Sequence, residues 1–275
     1  MKVVIWGDME GISCVTRWGH VNRGHYLYET EGRALYTGDI NAAVRGAKRA
    51  GADEIVVVDG HGAGDDSSFN SLIKERLEPG ANYVFGHRWG CFVKPFQEGY
   101  DCLILIGTHA RAGVADGVLC HTMSSVSWHN AWIGDRVTGE IGISAAIAGA
   151  FNVPCIMVSG DAAVARDARD FLGENVVTAQ VKVGCNRESA MCMPPADSTK
   201  MIEDKVASLL QNKASWVKPY VPPTDKDGLL RFTVEFLQPD RVESFIGKEG
   251  VTVDGRKVTS VGKNFWEAWD RYFHH

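Results

Sequence analysis

Trp6-Gly7-Asp8-Met9-Glu10-Gly11 follows directly on Lys2-Val3-Val4-Ile5. The apolar run reads as a short buried strand close to the N-terminus. Gly7 and Gly11 bracket the next segment and allow the backbone to turn tightly. Asp8 and Glu10 are two apart, and in an extended segment such residues point to the same side. Two carboxylates on one side of a buried strand's end repel each other, and a divalent cation between them would relieve this. The bland alternative is a solvated loop with two ordinary surface acids, which is common. The rest of the chain decides between the two.

A second β-branched run, Glu54-Ile55-Val56-Val57-Val58, leads into Asp59-Gly60-His61. Between the two runs, residues 39–51 carry apolar side chains at 40, 43, 44 and 47, the spacing of a helix face. Thr37 or Asp39 would cap that helix and Gly51 would end it. Strand, helix and strand make a βαβ unit. A third apolar run, Leu103-Ile104-Leu105-Ile106, ends in Gly107-Thr108-His109. Three buried strands therefore finish in Asp8 with Glu10, in His61 and in His109. Sites in open α/β sheets form outside the carboxyl ends of the strands. A single strand-end histidine is usually a core or capping residue. Two of them beside a carboxylate pair are harder to attribute to coincidence.

Residues 13–36 are expected to form a loop or short helix over the site, and 62–70 a turn-rich loop. Residues 71–89 hold a short helix and a strand at 83–85. Gly134-Asp135 marks a hairpin turn, and Glu140 opens a small-residue helix running to Ala150, where its simplest role is as a partner of the helix dipole. A strand over 154–159 ends before Asp161, the N-cap of a helix over 162–172. A strand and loop over 174–195 and a helix over 198–212 follow, then a linker at 221–224. The tail reads as a strand at 229–236, a hairpin through Asp254-Gly255 and a helix from Asn264 to Phe273. The fold class is α/β: a three-layer doubly wound sheet with a small α+β C-terminal segment.

The chain has 275 residues, 45% hydrophobic and 23% charged, as in an ordinary globular protein. A formal net charge of −5 without a basic run argues against nucleic acid as a partner. No stretch is long and apolar enough to span a bilayer. The start of the chain lacks a signal-peptide layout, and the seven scattered cysteines contain no C-x-x-C pair. Reduced, mostly buried thiols and a cytoplasmic location are expected.

The candidate ligands are Asp8, Glu10, His61, His109 and Glu140. Carboxylates and imidazoles without thiolates fit Zn²⁺, Mn²⁺ or Co²⁺. Five donors exceed what one open catalytic zinc needs. With one bridging carboxylate they suit two metals, a pairing that supports hydrolysis.

These motifs carry a resemblance. Asp8-x-Glu10-Gly11, Asp59-Gly60-His61, Gly107-Thr108-His109-Ala110-Arg111-Ala112, His121 downstream and Gly139-Glu140-Ile141-Gly142 together resemble the zinc D-aminopeptidases of the dipeptide-transport operon, the M55 peptidase family. The resemblance covers residue 1 to about 215 and is weaker beyond. It implies that Asp8, Glu10, His61, His109 and Glu140 ligate two zinc ions per chain, with Asp8 bridging, and that His121 is the catalytic histidine. It also implies a ring-shaped homo-oligomer, a decamer, acting on short peptides with an N-terminal D-residue. Residues 1–222 are then a metal-binding catalytic α/β domain, and 223–275 a hairpin-plus-helix segment packed on it. Two other readings use the same residues. A dinuclear phosphoesterase would add phosphate-gripping Arg or Lys near the metals, where only Arg111 adjoins a candidate ligand. A non-enzymatic, metal-stabilised peptide-binding or assembly subunit would leave His121 without a role.

Overall fold

The computed structural model describes residues 1–86 and 89–274, without the side chains of Asp65, of residues 89–92 and of residue 274. In chain order the elements are β1 (Lys2–Gly7), α1 (Trp18–Val21), α2 (Arg33–Arg49), β2 (Glu54–Asp59), β3 (Asn82–Val84), α3 (Trp89–Gln97) and β4 (Cys102–Ile106). Then come β5 (Trp128–Ile133), β6 (Arg136–Thr138), α4 (Glu140–Ala150), β7 (Cys155–Asp161), α5 (Ala162–Leu172), β8 (Val177–Asn186) and β9 (Ser189–Cys192). The chain closes with α6 (Pro195–Gln211), β10 (Leu230–Phe236), β11 (Val251–Asp254), β12 (Lys257–Gly262) and α7 (Phe265–His274).

Seven strands form one sheet in the order β3-β2-β1-β4-β7-β8-β9, parallel except for the hairpin strand β9. The period-two alternation of β1 explains why it sits in the middle. Val3 and Ile5 pack on one face with Ile40 and Val44 of α2 and Ile202 and Val206 of α6. Val4 and Trp6 pack on the other, with Ile143 and Ile147 of α4. Both faces are covered, so the parallel strands read as continuous apolar runs.

A second, antiparallel sheet has the order β11-β12-β10-β5-β6. The tail strands do not form it alone: β10 pairs with β5, joining residues 128–138 to the C-terminal segment. Phe232 of β10 and Trp269 of α7 bury themselves against the same core as α4.

Several boundaries differ from expectation. Helix α2 starts six residues early, at Arg33, so Thr37 and Asp39 are inside it rather than capping it. Thr37 Oγ1 donates back to the Arg33 carbonyl at 2.8 Å, and Asp39 is buried facing Ser198 of α6. Packing against α6 overrides the local capping signal. Residues 177–192 form the β8–β9 hairpin rather than a strand and a loop. Asp161 does cap α5, with Oδ1 accepting from Val164 N at 2.8 Å. Of the cysteines, Cys102, Cys120 and Cys155 are buried, Cys14 and Cys192 are half-buried and Cys185 is exposed; all six are free thiols, and the Cys91 side chain lies outside the described residues.

Strand register places the site. Gly7 lies opposite Asp59 on one side and Ile106 on the other, so β1, β2 and β4 finish at one level. The strand order reverses between β1 and β4, the position where open α/β sheets form their crevice.

Candidate metal centre

Asp8 and Glu10 do not continue the strand; they lie in the bend and turn that follow β1. Their common direction comes from that turn rather than from extended pleating. Asp8 N donates to the Ile106 carbonyl at 2.8 Å, and Gly11 N to the Gly107 carbonyl at 2.7 Å. Two glycines allow this approach. A Cβ on Gly11 would sit 1.9 Å from the Thr108 carbonyl, and Gly107 has φ +76° with Asp8 O only 2.1 Å from where its Cβ would be. The loops after β1 and β4 thus touch, and Asp8 reaches His109.

All six residues singled out in the sequence converge at this point. Asp8, Glu10, His61, His109, His121 and Glu140 line one cavity of about 80 Å³, with Gly60, Gly62, Phe69 and Met123. His61 Nδ1 lies 3.0 Å from Asp8 Oδ1 and 3.3 Å from Glu10 Oε2. His109 Nε2 lies 3.0 Å from Glu140 Oε1 and 3.5 Å from Asp8 Oδ2. Asp8 therefore faces both histidines, one with each oxygen. Glu140 opens α4 as expected, yet its carboxylate turns into the cluster, where Oε1 also accepts from Met123 N at 2.7 Å.

The outer nitrogens decide what the inner ones can do. A backbone carbonyl only accepts, so each nitrogen beside one must carry the proton. His61 Nε2 donates to Val21 O at 2.8 Å, His109 Nδ1 to Ala110 O at 3.0 Å and His121 Nδ1 to Leu119 O at 2.8 Å. In neutral rings the opposite nitrogens are lone pairs. Those of His61 and His109 are aimed at carboxylate oxygens, a repulsive arrangement unless each ring gains a proton or a cation enters. The metal-free chain takes the first course. Burial opposes charging His61 and His109, but Glu10 and Asp8 for the first and Glu140 and Asp8 for the second hold both well above the ordinary imidazole range. Burial and the neighbouring Glu10 carboxylate raise Asp8 to about 7. Burial also opposes ionising Glu10, but the histidines outweigh it and keep Glu10 well below the usual carboxylate range.

This donor set fits a divalent metal. Imidazoles tethered through their second nitrogen to a carbonyl are the usual form of histidine ligands. Glu10 Oε2 is buried and makes no hydrogen bond, because the one proton available on His61 Nδ1 points to Asp8. Two overlapping groups bring donor atoms within 4.8 Å of one another: Asp8, Glu10 and His109, and His109, His121 and Glu140.

His121 stacks on His109 with ring centroids 3.9 Å apart, while the Trp18 indole meets it edge-on at 5.6 Å. Burial and the neighbouring His109 lower His121 to about 4, so its ring is neutral at pH 7. The backbone is strained on either side of it: Leu119 has φ +51° and Met123 φ +56°, values that residues with a side chain rarely adopt. An apolar cavity of about 60 Å³, lined by Trp6, Phe69, Leu105, Met123 and Ile143, adjoins Asp8 and Glu140.

Two supporting roles escaped the sequence reading. Lys182 of β8 is 2% exposed, and its Nζ donates to the carbonyls of Glu10, Ile12 and Val15 at 2.6, 2.9 and 2.5 Å. It pins the loop that carries Asp8 and Glu10. The sequence signal was a lone lysine between two valines, Val181-Lys182-Val183. Asp59, beside His61, accepts from Ser71 N, Leu72 N and the Tyr36 hydroxyl, which ties down the segment after the 62–70 loop.

Known proteins resemble this chain in sequence and in fold. A curated D-aminopeptidase from Bacillus subtilis (strain 168) is 37% identical over 229 residues, spanning 81% of this chain and 78% of its own length. A solved structure described as the Zn-dependent D-aminopeptidase DppA from Bacillus subtilis, a self-compartmentalizing protease, superposes with a TM-score of 0.85 at 31% identity, covering 99% of this chain and 95% of that one. The model of the M55 peptidases, the D-aminopeptidases, matches residues 1–272, and the chain belongs to that family.

Proposed function

We propose that this M55 hydrolase is a dinuclear zinc aminopeptidase that removes the N-terminal residue from short peptides beginning with a D-amino acid. The observation that carries the reading is the pair of inner imidazole nitrogens, His61 Nδ1 and His109 Nε2, that face the carboxylates of Asp8, Glu10 and Glu140. Asp8, Glu10, His61, His109 and Glu140 would hold two zinc ions, with Asp8 bridging because its two oxygens face different histidines. Bound zinc brings Lewis acidity to such a site, polarising a carbonyl and acidifying water.

The protein's own groups do the rest. His121, neutral and with Nδ1–H committed to Leu119 O, has Nε2 free to accept a proton from the attacking water and return it to the leaving amine. Attack by the ring itself would use the same lone pair. The small apolar cavity beside Asp8 and Glu140 suits a small N-terminal side chain.

The phosphoesterase alternative is weakened, because Arg111, the basic residue that adjoins a candidate ligand, is committed to Asp167. Arg111 N donates to Asp167 at 3.2 Å, and the guanidinium lies 4.0 Å from the same carboxylate. Among the described residues, no helix is long and apolar enough to cross a membrane. The solved relative is a self-compartmentalizing protease, and we extend that to this chain as a homo-oligomer, specifically a decamer. Light scattering that finds a monomer at micromolar concentration removes the assembly. The function is tested by assaying D-Ala and L-Ala peptides against p-nitrophenyl phosphate, with and without added zinc. Zinc-dependent release of N-terminal D-Ala is expected; phosphate release without peptide cleavage overturns the assignment.

A further inference from the structure

We infer that Arg187 binds the C-terminal carboxylate of the peptide on the leaving-group side of the site, so that the chain is specific for short peptides with a free carboxyl end. The inference rests on the peptidase reading above and adds a determinant of substrate length and charge.

His121 forms a partition. One side of its ring faces the carboxylate–histidine cluster, and its residue also lines a separate, larger cavity of about 400 Å³. Among the cavity-lining residues, His121 is common to the two. The larger cavity is walled by Val114, Cys120, Trp128 and Leu237, with Arg187 at its edge. If His121 returns a proton to the leaving amine, the leaving portion of the peptide must lie beside His121. The larger cavity is the space available there.

Arg187 lies in the turn between β8 and β9 and is held against the His121 segment. Its carbonyl accepts from Leu119 N at 2.8 Å, and its Nε donates to the Cys120 carbonyl at 3.3 Å. Its guanidinium sits 5.0 Å from the centre of the Trp18 ring, the same indole that meets His121. The side chain is thus oriented, yet its charge is not matched. Among the described residues Arg187 has no carboxylate within ion-pair distance, whereas Arg166 pairs with Asp116 and Arg111 with Asp167. The residue is exposed, and among the described residues its two terminal nitrogens have no hydrogen-bond partner, which leaves their donors to an external acceptor. A planar, pre-oriented guanidinium with a free edge matches a carboxylate in two parallel hydrogen bonds.

The spacing sets an upper limit on the length of the substrate. Through Trp18 the guanidinium lies no more than about 11 Å from the His121 ring, so the leaving portion has at most about three extended residues at ~3.4 Å each. Dipeptides to tetrapeptides would place a terminal carboxylate within reach. Longer peptides would overshoot it, and amides would offer it no charge.

The test compares D-Ala-Ala-Ala with its C-terminal amide on the zinc-loaded enzyme, reading the ratio of kcat/KM for acid over amide. A ratio of about ten or more is expected for the natural chain, the size of one charge-assisted contact. Arg187→Gln should bring the ratio towards one, and Arg187→Lys should keep part of it. A ratio near one in the natural chain, or an undiminished ratio in Arg187→Gln, overturns the assignment. D-alanine p-nitroanilide, which has no carboxylate, separates the two levels. If it is cleaved while the ratio stays near one, only the role of Arg187 is wrong. If none of the three substrates is cleaved, the peptidase reading falls and this inference with it.

Discussion

The rings of His109 and His121 are stacked, with centroids 3.9 Å apart and planes 12° from parallel. Two imidazolium rings could not share that stack. The carboxylates resolve the conflict, since Glu140 and Asp8 draw a proton onto His109, whereas His121 is left neutral with its value near 4. One ring is thereby suited to hold charge and the other to accept a proton.

His121→Ala should lower kcat by about 10²-fold or more while leaving the zinc content unchanged. Stopped assays and elemental analysis of the same preparation provide both readings. Because His121 also lies within ligand distance of His109 and Glu140, loss of one metal from this variant would make it a ligand instead.

Asp8→Ala should lose both metals, because its two oxygens face different histidines at 3.0 and 3.5 Å. Glu140→Ala, whose carboxylate lies 3.0 Å from His109 and is not paired with His61, should lose one first. Inductively coupled plasma analysis of protein purified without chelator should find two zinc ions per natural chain. One ion per chain would remove the bridging role.

Chelation should destabilise the protein more at pH 8 than at pH 6. In the metal-free chain His61 and His109 have folded values well above their ordinary 6.5, so their contribution is complete below 6.5 and is lost as pH rises above it. Asp8, raised from 3.8 to about 7, acts in the same direction, since its contribution declines from about pH 4 to pH 7. Metal replaces those protons and is not subject to the loss. The difference in Tm between zinc-loaded and chelated protein should therefore widen from pH 6 to pH 8; a constant difference would contradict it.

Asp39→Asn should stabilise the protein near pH 8 and do little near pH 4. Asp39 is 2% exposed, its Oδ2 has no hydrogen-bond partner, and burial raises its carboxyl from 3.8 to about 7. Its folded value is raised, so stability is greatest below 3.8 and falls as pH rises towards 7, by about 4 kcal/mol at most. Urea midpoints measured across this range should flatten in the variant.

Lys182→Met should cost about 3 kcal/mol or more, because three buried carbonyls, those of Glu10, Ile12 and Val15, lose their donor together. It should also weaken zinc binding in competition with a chelator, since the loop holding Asp8 and Glu10 is released. Unchanged zinc affinity in a folded variant would mean that the lysine supports the fold alone.

The sequence by itself determined the strands and the ends at which chemistry gathers. Uninterrupted apolar runs need cover on both faces, so they identify β1, β2 and β4 and put Asp8, His61 and His109 just past them. Local chemistry also marks the Asp161 cap and the Gly134-Asp135 turn. Only the tertiary structure decided matters that depend on distant segments. It carried α2 back to Arg33, because α6 buries Asp39 and the capping signal at that position is local. It joined β5 to β10 across about a hundred residues, a pairing no local pattern encodes. It put the Glu140 carboxylate, a candidate ligand in the sequence, 3.0 Å from His109, by aiming the first turn of α4 at the end of β4. It brought Lys182, 172 positions from Glu10, beneath the loop at the centre of the site. Short-range forces write themselves into neighbouring residues, but which buried charge meets which carbonyl depends on the packing of the whole sheet.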